Sequence, residues 1–183
     1  MSKYTLIVPI AADTDKMGTE MPYLFGLDSN GLMYCVKSIM GLPLEAFSDI
    51  YFTILHKHNL RYKLLEMMQI QFERLGIAHK THVYELWEST SSQPETLYHT
   101  VVGNHITGAV LFKDGDSYFT TEVYPENMLY IFPLDGLQVV NPQNKSYVTI
   151  DEQYYITNII EKKIVSRFFC AGGYSIEDVQ DFV

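Results

Sequence analysis

The chain has 183 residues, 22 acidic and 13 basic, and a net charge of −9 with histidine neutral. With 47% hydrophobic residues it can bury an ordinary core, which argues against disorder, a collagen-like repeat or a disulfide scaffold. The acidic balance argues against holding nucleic acid through the chain's own positive charge, yet it admits a nucleotide whose phosphates arrive with a divalent cation. No apolar run reaches the ~18 residues of a membrane-spanning helix. Met1–Ile10 carries one positive charge and too short an apolar run for a secretory signal. Cys35 and Cys170 stand inside apolar stretches outside any C-x-x-C pair. A single cytoplasmic domain over 1–183 with reduced core cysteines is therefore expected, with no membrane and no nucleic acid as partner.

In chain order, Tyr4–Pro9 reads as a strand buried on both faces. A polar loop follows over Ala11–Glu20, and Gly31–Met40 reads as a helix. Ile50–Leu55 is the second strand. Asn59 is expected to cap a helix in which Leu60, Leu64, Met67, Met68, Phe72 and Leu75 recur at helical spacing, with Gly76 ending it. Thr81–Leu86 alternates as a third strand. Pro94 opens a short helix to about Val102, with Ser92 or Gln93 near its N-cap, and Ala109–Phe112 is the fourth strand. Strands alternating with helices at this rhythm predict parallel β-α-β units and an open twisted sheet.

After Asp116 short β-rich runs take over, at Tyr118–Val123, Met128–Phe132, Leu137–Val140, Tyr147–Ile150, Ile156–Ile160 and Arg167–Ala171. Asp135-Gly136 and Asn141-Pro142 are turn signals between them. Ser175, with Asp178 three residues on, predicts a capping box and a final helix.

Ligands of open α/β sheets bind outside the carboxyl ends of the strands. That rule selects the loops after Pro9, Leu86 and Phe112 and the turn after Ala171. Lys113-Asp114-Gly115-Asp116 puts two carboxylates at a strand end. Mg²⁺ often takes one or two carboxylates plus substrate phosphates. The same residues also make a good solvated turn, and their types leave both readings open. His56 and His58, two apart after the second strand, would project oppositely and read as a solvated loop. His79, His82, His99 and His105 lack metal-ligand spacing. Ser89-Thr90-Ser91-Ser92 is a polar loop able to touch a nucleobase through its backbone, and the aromatic stretch Tyr118–Phe132 reads as sheet packing.

Several segments, in order, resemble the sugar-phosphate nucleotidyltransferases, in particular a bacterial branch serving capsule and cell-surface sugars. Leu6-Ile-Val-Pro-Ile-Ala-Ala-Asp-Thr-Asp-Lys-Met stands where that family carries a strand and a Gly-rich A-G-x-G-x-R-F loop. Gln93-Pro-Glu-Thr-Leu-Tyr resembles its G-x-A-E-T-x-Y segment, and Lys113-Asp-Gly-Asp-Ser-Tyr-Phe its D-x-D-x-[YF]-F metal segment. Asn141-Pro-Gln-Asn-Lys-Ser-Tyr-Val, Ile160-Glu-Lys-Lys-Ile-Val-Ser and Phe169-Cys-Ala-Gly-Gly-Tyr follow in family order.

The resemblance implies an α/β, Rossmann-like three-layer fold of the glycosyltransferase-A-like kind, with a mixed, mostly parallel sheet and an added β-rich segment. It implies transfer of a nucleotidyl group from a nucleoside triphosphate to a sugar phosphate, releasing pyrophosphate, with Mg²⁺ as cofactor. Carried over residue by residue, Ala11, Ala12 and Asp13 would lie against the triphosphate, with Gln93, Glu95 and Thr96 by base and ribose. Lys16 stands at the family's Arg and, with Lys162, is the expected catalytic cation. Asp116 and Asp114 would hold the metal; Glu161, Gly172 and Gly173 would face the sugar phosphate.

The first loop departs from the family pattern. Ala12 and Thr14 replace glycines, Asp13 and Asp15 add negative charge, and Tyr23 stands at a phosphate-contacting lysine. A relative that binds a nucleotide, a sugar phosphate or a partner protein without turnover is therefore the alternative expectation. The chain stops soon after Gly173, before the point where many relatives supply a second metal carboxylate, so a fragment or a shortened relative is expected.

Overall fold

Tyr4–Pro9 forms the first strand, β1, and its residues Tyr4–Val8 are buried, as a strand covered on both faces requires. The computed structural model describes residues 4–13, 21–136 and 142–183. They divide into two compact units, Met1–Asn127 with Ser175–Val183 and Met128–Tyr174.

In the first unit β1 pairs in parallel with β2 (Asp49–Leu55), setting Leu6 opposite Ile50 and Val8 opposite Phe52. Its other edge pairs in parallel with β4 (Ala109–Lys113), with Leu6 opposite Leu111. β3 (Thr81–Leu86) pairs in parallel with β2, giving the order β3-β2-β1-β4. The α/β fold with a mostly parallel sheet is thus the one expected. The chain steps outward from β1 to β3 and then returns to the opposite side of β1, which makes the β1/β4 boundary a switch point.

The helices are α1 (Tyr34–Lys37), α2 (His56–Tyr62), α3 (Leu64–Arg74) and α4 (Gln93–Gly103). The helix expected over Gly31–Met40 shrinks to the four residues of α1. Upstream, the Asp28 carboxylate accepts from Asn30 N and Leu32 N, and Gly31 takes φ +75°, so the chain turns before it can coil. The Gln71 side chain accepts from Met33 N at 2.9 Å, fastening the start of α1 to α3.

The helix expected from Asn59 to Leu75 is two helices, broken where Lys63 takes φ 57°, ψ 41°. Asn59 is not the N-cap expected: it lies inside α2, and the N-cap of α3 is Lys63, although Asn59 Oδ1 accepts from Leu65 N in the first turn of α3 at 3.0 Å. Gly76 at φ +73° ends α3 with Gly76 N donating to Glu73 O and Ile77 N to Phe72 O, the paired bonds of a Schellman stop.

Tyr118–Val123 is not a strand. Its exposure does alternate, with odd positions half-buried and even ones exposed, so the segment is extended. No strand partner is described for it; Thr121 N instead donates to Gly41 O at 3.3 Å. Ser175 likewise starts no helix: it lies in β8 (Phe168–Ile176), and its hydroxyl donates to Tyr124 O at 2.9 Å beside the Tyr4 hydroxyl. Asp178 caps only a 3₁₀ turn, Val179–Asp181, through Gln180 N.

The second unit holds β5 (Met128–Pro133), β6 (Ser146–Ile150), β7 (Ile156–Glu161) and the start of β8. β6 is antiparallel to β7 and to β8, with Val148 opposite Ile159 and Tyr147 opposite Phe169. The strand expected over Leu137–Val140 and the turn residue Asn141 lie outside the described residues.

Two outcomes test this packing. A Cβ on Gly41 would sit 2.1 Å from Phe119 O, so Gly41→Ala should lower stability by about 1–3 kcal/mol in urea unfolding. Burial pushes the Cys35 thiol up to about 12, so native protein at pH 8 should leave Cys35 unalkylated in mass spectra; rapid labelling would contradict the core.

Candidate functional site

Where β1 and β4 part at their carboxyl ends, the first unit holds a cavity of about 460 Å³. Its walls are Pro9–Asp13 after β1, Leu24, Thr90–Gln93 with Thr96 at the start of α4, and Asp114–Asp116 after β4. Three of the four strand ends picked by the carboxyl-end rule supply these walls, those after Pro9, Leu86 and Phe112.

The Asp114–Asp116 turn is fixed from beneath. Lys113 is fully buried, and its ammonium donates to Asp114 O and Ser117 Oγ, each at 2.7 Å, and to Ser117 O. It also lies 4.8 Å from the centroid of the Phe119 ring. One buried cation thereby ties both ends of the turn together. Gly115 is needed for close approach, because a Cβ there would stand 2.4 Å from Ile10 Cγ2. Gln93 Nε2 donates to Asp114 Oδ1 at 2.6 Å, joining the start of α4 to the turn.

α4 is seated by polar contacts along its length. Ser92 caps it by accepting from Glu95 N at 3.4 Å. Glu95 accepts in return from Ser91 Oγ and Ser91 N, which hold its carboxyl below the usual range. Glu95 therefore serves the helix start and does not line the cavity, whereas Gln93 and Thr96 do. Thr100, one turn after Thr96, shares a 2.6 Å hydrogen bond with Thr53 of β2 and docks the helix on the sheet.

Asp13, on the opposite wall, pairs with Lys57 at 2.7 Å. That partner is not legible in the sequence, where His56-Lys57-His58 reads as a solvated loop. It is the first turn of α2: His56 Nδ1 lies 2.7 Å from Glu85 Oε2, and His58 is buried against Phe25 and Tyr62. A strand end would have spread these side chains; a helix sends Lys57 outward and His58 into the core. Tyr23, where a lysine was expected from the family pattern, has its phenol pushed up by burial first and by the Asp116 charge second.

Of the expected site residues, Ala11, Ala12, Asp13, Gln93, Thr96, Asp114 and Asp116 surround this one cavity. Lys16 lies outside the described residues. Glu161, Lys162, Gly172 and Gly173 belong to the second unit. There Glu161 and Lys162 pair at 2.9 Å on the surface, with Lys162 at φ 57°, and Gly172 at φ 85° sends its N–H to Cys170 Sγ. Among the described residues no three His, Cys, Asp or Glu side chains gather as a metal set, and no helix is long and apolar enough to cross a membrane.

No protein-family model and no curated protein sequence matches the chain. Solved structures do. A nucleoside-diphosphate-sugar pyrophosphorylase from Vibrio cholerae RC9 superposes with a TM-score of 0.74 at 18% identity, over 97% of this chain and 75% of its own. The inositol-1-phosphate CTP transferase from T. maritima gives 0.71 at 13%, over 97% and 71%. HddC from Yersinia pseudotuberculosis, complexed with GMP-PN, gives 0.62 at 10%, over 95% and 76%. This chain has the sugar-nucleotidyltransferase fold. At such identities the likeness carries the fold alone.

The buried lysine makes a direct test. Lys113→Met takes a donor from three oxygens beneath the turn, so stability should fall by about 1–3 kcal/mol or more in denaturant unfolding. An unchanged midpoint would show that the turn needs no such tie.

Proposed function

We propose that the protein transfers a nucleotidyl group from a nucleoside triphosphate to a sugar phosphate or similar phosphorylated compound, in the cytoplasm, for capsule or surface polysaccharide. The observation that carries this reading is the pair Asp114 and Asp116 on a lysine-tied turn, bordering the switch-point cavity of a nucleotidyltransferase fold.

The donor set suits Mg²⁺, which accepts one or two carboxylates and completes its shell with phosphate oxygens and water. Asp114 and Asp116 would hold the ion, which when bound offsets phosphate charge. The protein's own groups do the positioning. Gln93 orients Asp114, and Lys113 keeps the two carboxylates on one rigid turn. Thr90–Gln93 and Thr96 offer polar groups to base and ribose, while Ala11–Asp13 line the triphosphate side. Lys16 and Lys162 are the proposed cations towards the phosphates, and Glu161, Gly172 and Gly173 the proposed groups towards the sugar. An acceptor phosphate oxygen forms the new bond to the α-phosphorus, the α–β bridging bond breaks, and pyrophosphate leaves with that electron pair.

A second reading has its own support. The described walls of the larger cavity carry Asp13, Asp114 and Asp116 but no Lys or Arg, which favours a relative that binds without turnover. Pyrophosphate release from each triphosphate, with Mg²⁺ and a panel of sugar 1-phosphates, separates the two. The first reading expects release that Asp116→Ala lowers by about 100-fold or more while the fold persists. Silence across the panel with tight nucleotide binding in calorimetry would select the second. An Asp116→Ala variant as active as the parent would sink the metal-site assignment.

A further inference from the structure

In the second unit the apolar layers stop one strand short of the sheet edge. β6 is covered on both faces, with Tyr147 and Val148 fully buried. Their register partners on β7 are not: Ile160 is half-buried and Ile159 is 50% exposed. β7 lies outside β6 in the order β8-β6-β7, and β6 is its one strand partner among the described residues. We propose that two copies of the chain associate along this edge, β7 lying antiparallel to β7 of the second copy about a two-fold axis.

The turn before the strand holds its aromatic residues outward. Asp151 Oδ1 accepts from Gln153 N and Tyr155 N, each at 2.9 Å, and Tyr154 N donates to Asp151 O at 3.1 Å. Tyr154 and Tyr155 in this well-bonded turn are 79% and 68% exposed, and Ile156 and Ile164 are exposed beside them. A contiguous group of large apolar side chains in water marks an interaction surface. An outermost strand also presents open N–H and C=O groups, a template on which another strand can pair.

Charge selects a second copy as the occupant. Asp151 and Glu152 precede β7, and Lys162 and Lys163 follow it. Antiparallel pairing about a two-fold axis sets each acidic turn beside the other copy's basic end, whereas parallel alignment would set like beside like. Glu161 pairs with Lys162 at 2.9 Å within the chain, so the exposed Glu152 and Lys163 are the groups that cross between copies. Tyr154, Tyr155, Ile156, Ile159 and Ile164 together offer on the order of 500 Å² per copy. Two copies would then bury roughly 1,000 Å², the lower end for a specific interface, which suits a dimer in exchange with its monomer.

Sedimentation velocity on the full chain, from about 1 to 100 µM, tests the edge. The mass should climb with concentration from 21.1 kDa towards twice that value. Ile159→Lys should weaken association by about tenfold or more with an unchanged urea midpoint, because Ile159 already meets water. Glu152→Lys and Lys163→Glu should each weaken it by several fold, and the two changes together should restore it to within about threefold of the parent. Both charged residues are exposed, so this set decides the matter even if Ile159→Lys fails to fold. A parent that stays monomeric at the top concentration would overturn the proposal, as would a dimer indifferent to all three single changes. Loss in both charge reversals without recovery in the double variant would overturn the antiparallel pairing of copies.

Discussion

A lysine ammonium taken out of water is costly unless oxygens surround it, and the site depends on how Lys113 meets that constraint. Oxygens of residues 114 and 117 accept from it, so satisfying the charge and closing the turn are one event. That fixes the directions in which Asp114 and Asp116 leave the backbone. Gly115 then lets the turn lie against Ile10 at the exit of β1, where any side chain would collide. A merely solvated turn would need neither a buried cation beneath it nor a neighbouring strand against it. The Asp-Gly-Asp segment is therefore built into the sheet, whichever ligand it serves.

Charge is the second organising quantity. The larger cavity presents Asp13, Asp114 and Asp116, and the cations that answer this charge come from elsewhere in the chain. Lys57 reaches Asp13 from the first turn of α2, and Lys37 reaches the neighbourhood of Asp116 from α1. Both are anchored by a carboxylate rather than left swinging in solvent. Exposed pairs of this kind add little to stability. Their value lies in holding a positive charge at a chosen place.

Much of the first unit was legible because its strands are short, apolar and bounded by turn residues. The four parallel strands fall within one residue of their expected limits. Ser92 and Gly76 act as the cap and the stop that their residue types suggest. The structure differs where a neighbouring or distant group takes up the backbone or side chain that a simple pattern assigns elsewhere. Asp28 captured the backbone that Gly31–Met40 needed for a helix, and Gly41 took the backbone bond that would have made Tyr118–Val123 a strand. Ser175 has the residue type of an N-cap but spends its hydroxyl on Tyr124 O. For the site, the carboxyl-end rule and the family resemblance found the acidic turn and the start of α4. Neither could find Lys57 or Lys37, because their closeness to Asp13 and Asp116 exists only after the strands have paired.

An acidic cavity and a triphosphate repel each other unless cations intervene. Two unit charges at 4 Å cost about 4 kcal/mol at the effective dielectric of a protein surface, and three carboxylates multiply the problem. Lys57 offsets one of them, Lys37 borders a neighbouring cavity that Asp116 also borders, and the neutral Gln93 amide donates to Asp114. A neutral amide orients a carboxylate without cancelling its charge. A nucleotide held against these carboxylates is therefore favoured by positive charge that it brings with it, for an enzyme and for a silent binder alike. Dependence on a divalent cation would show that a nucleotide belongs in this cleft; only turnover distinguishes a catalyst from a receptor built on the same fold.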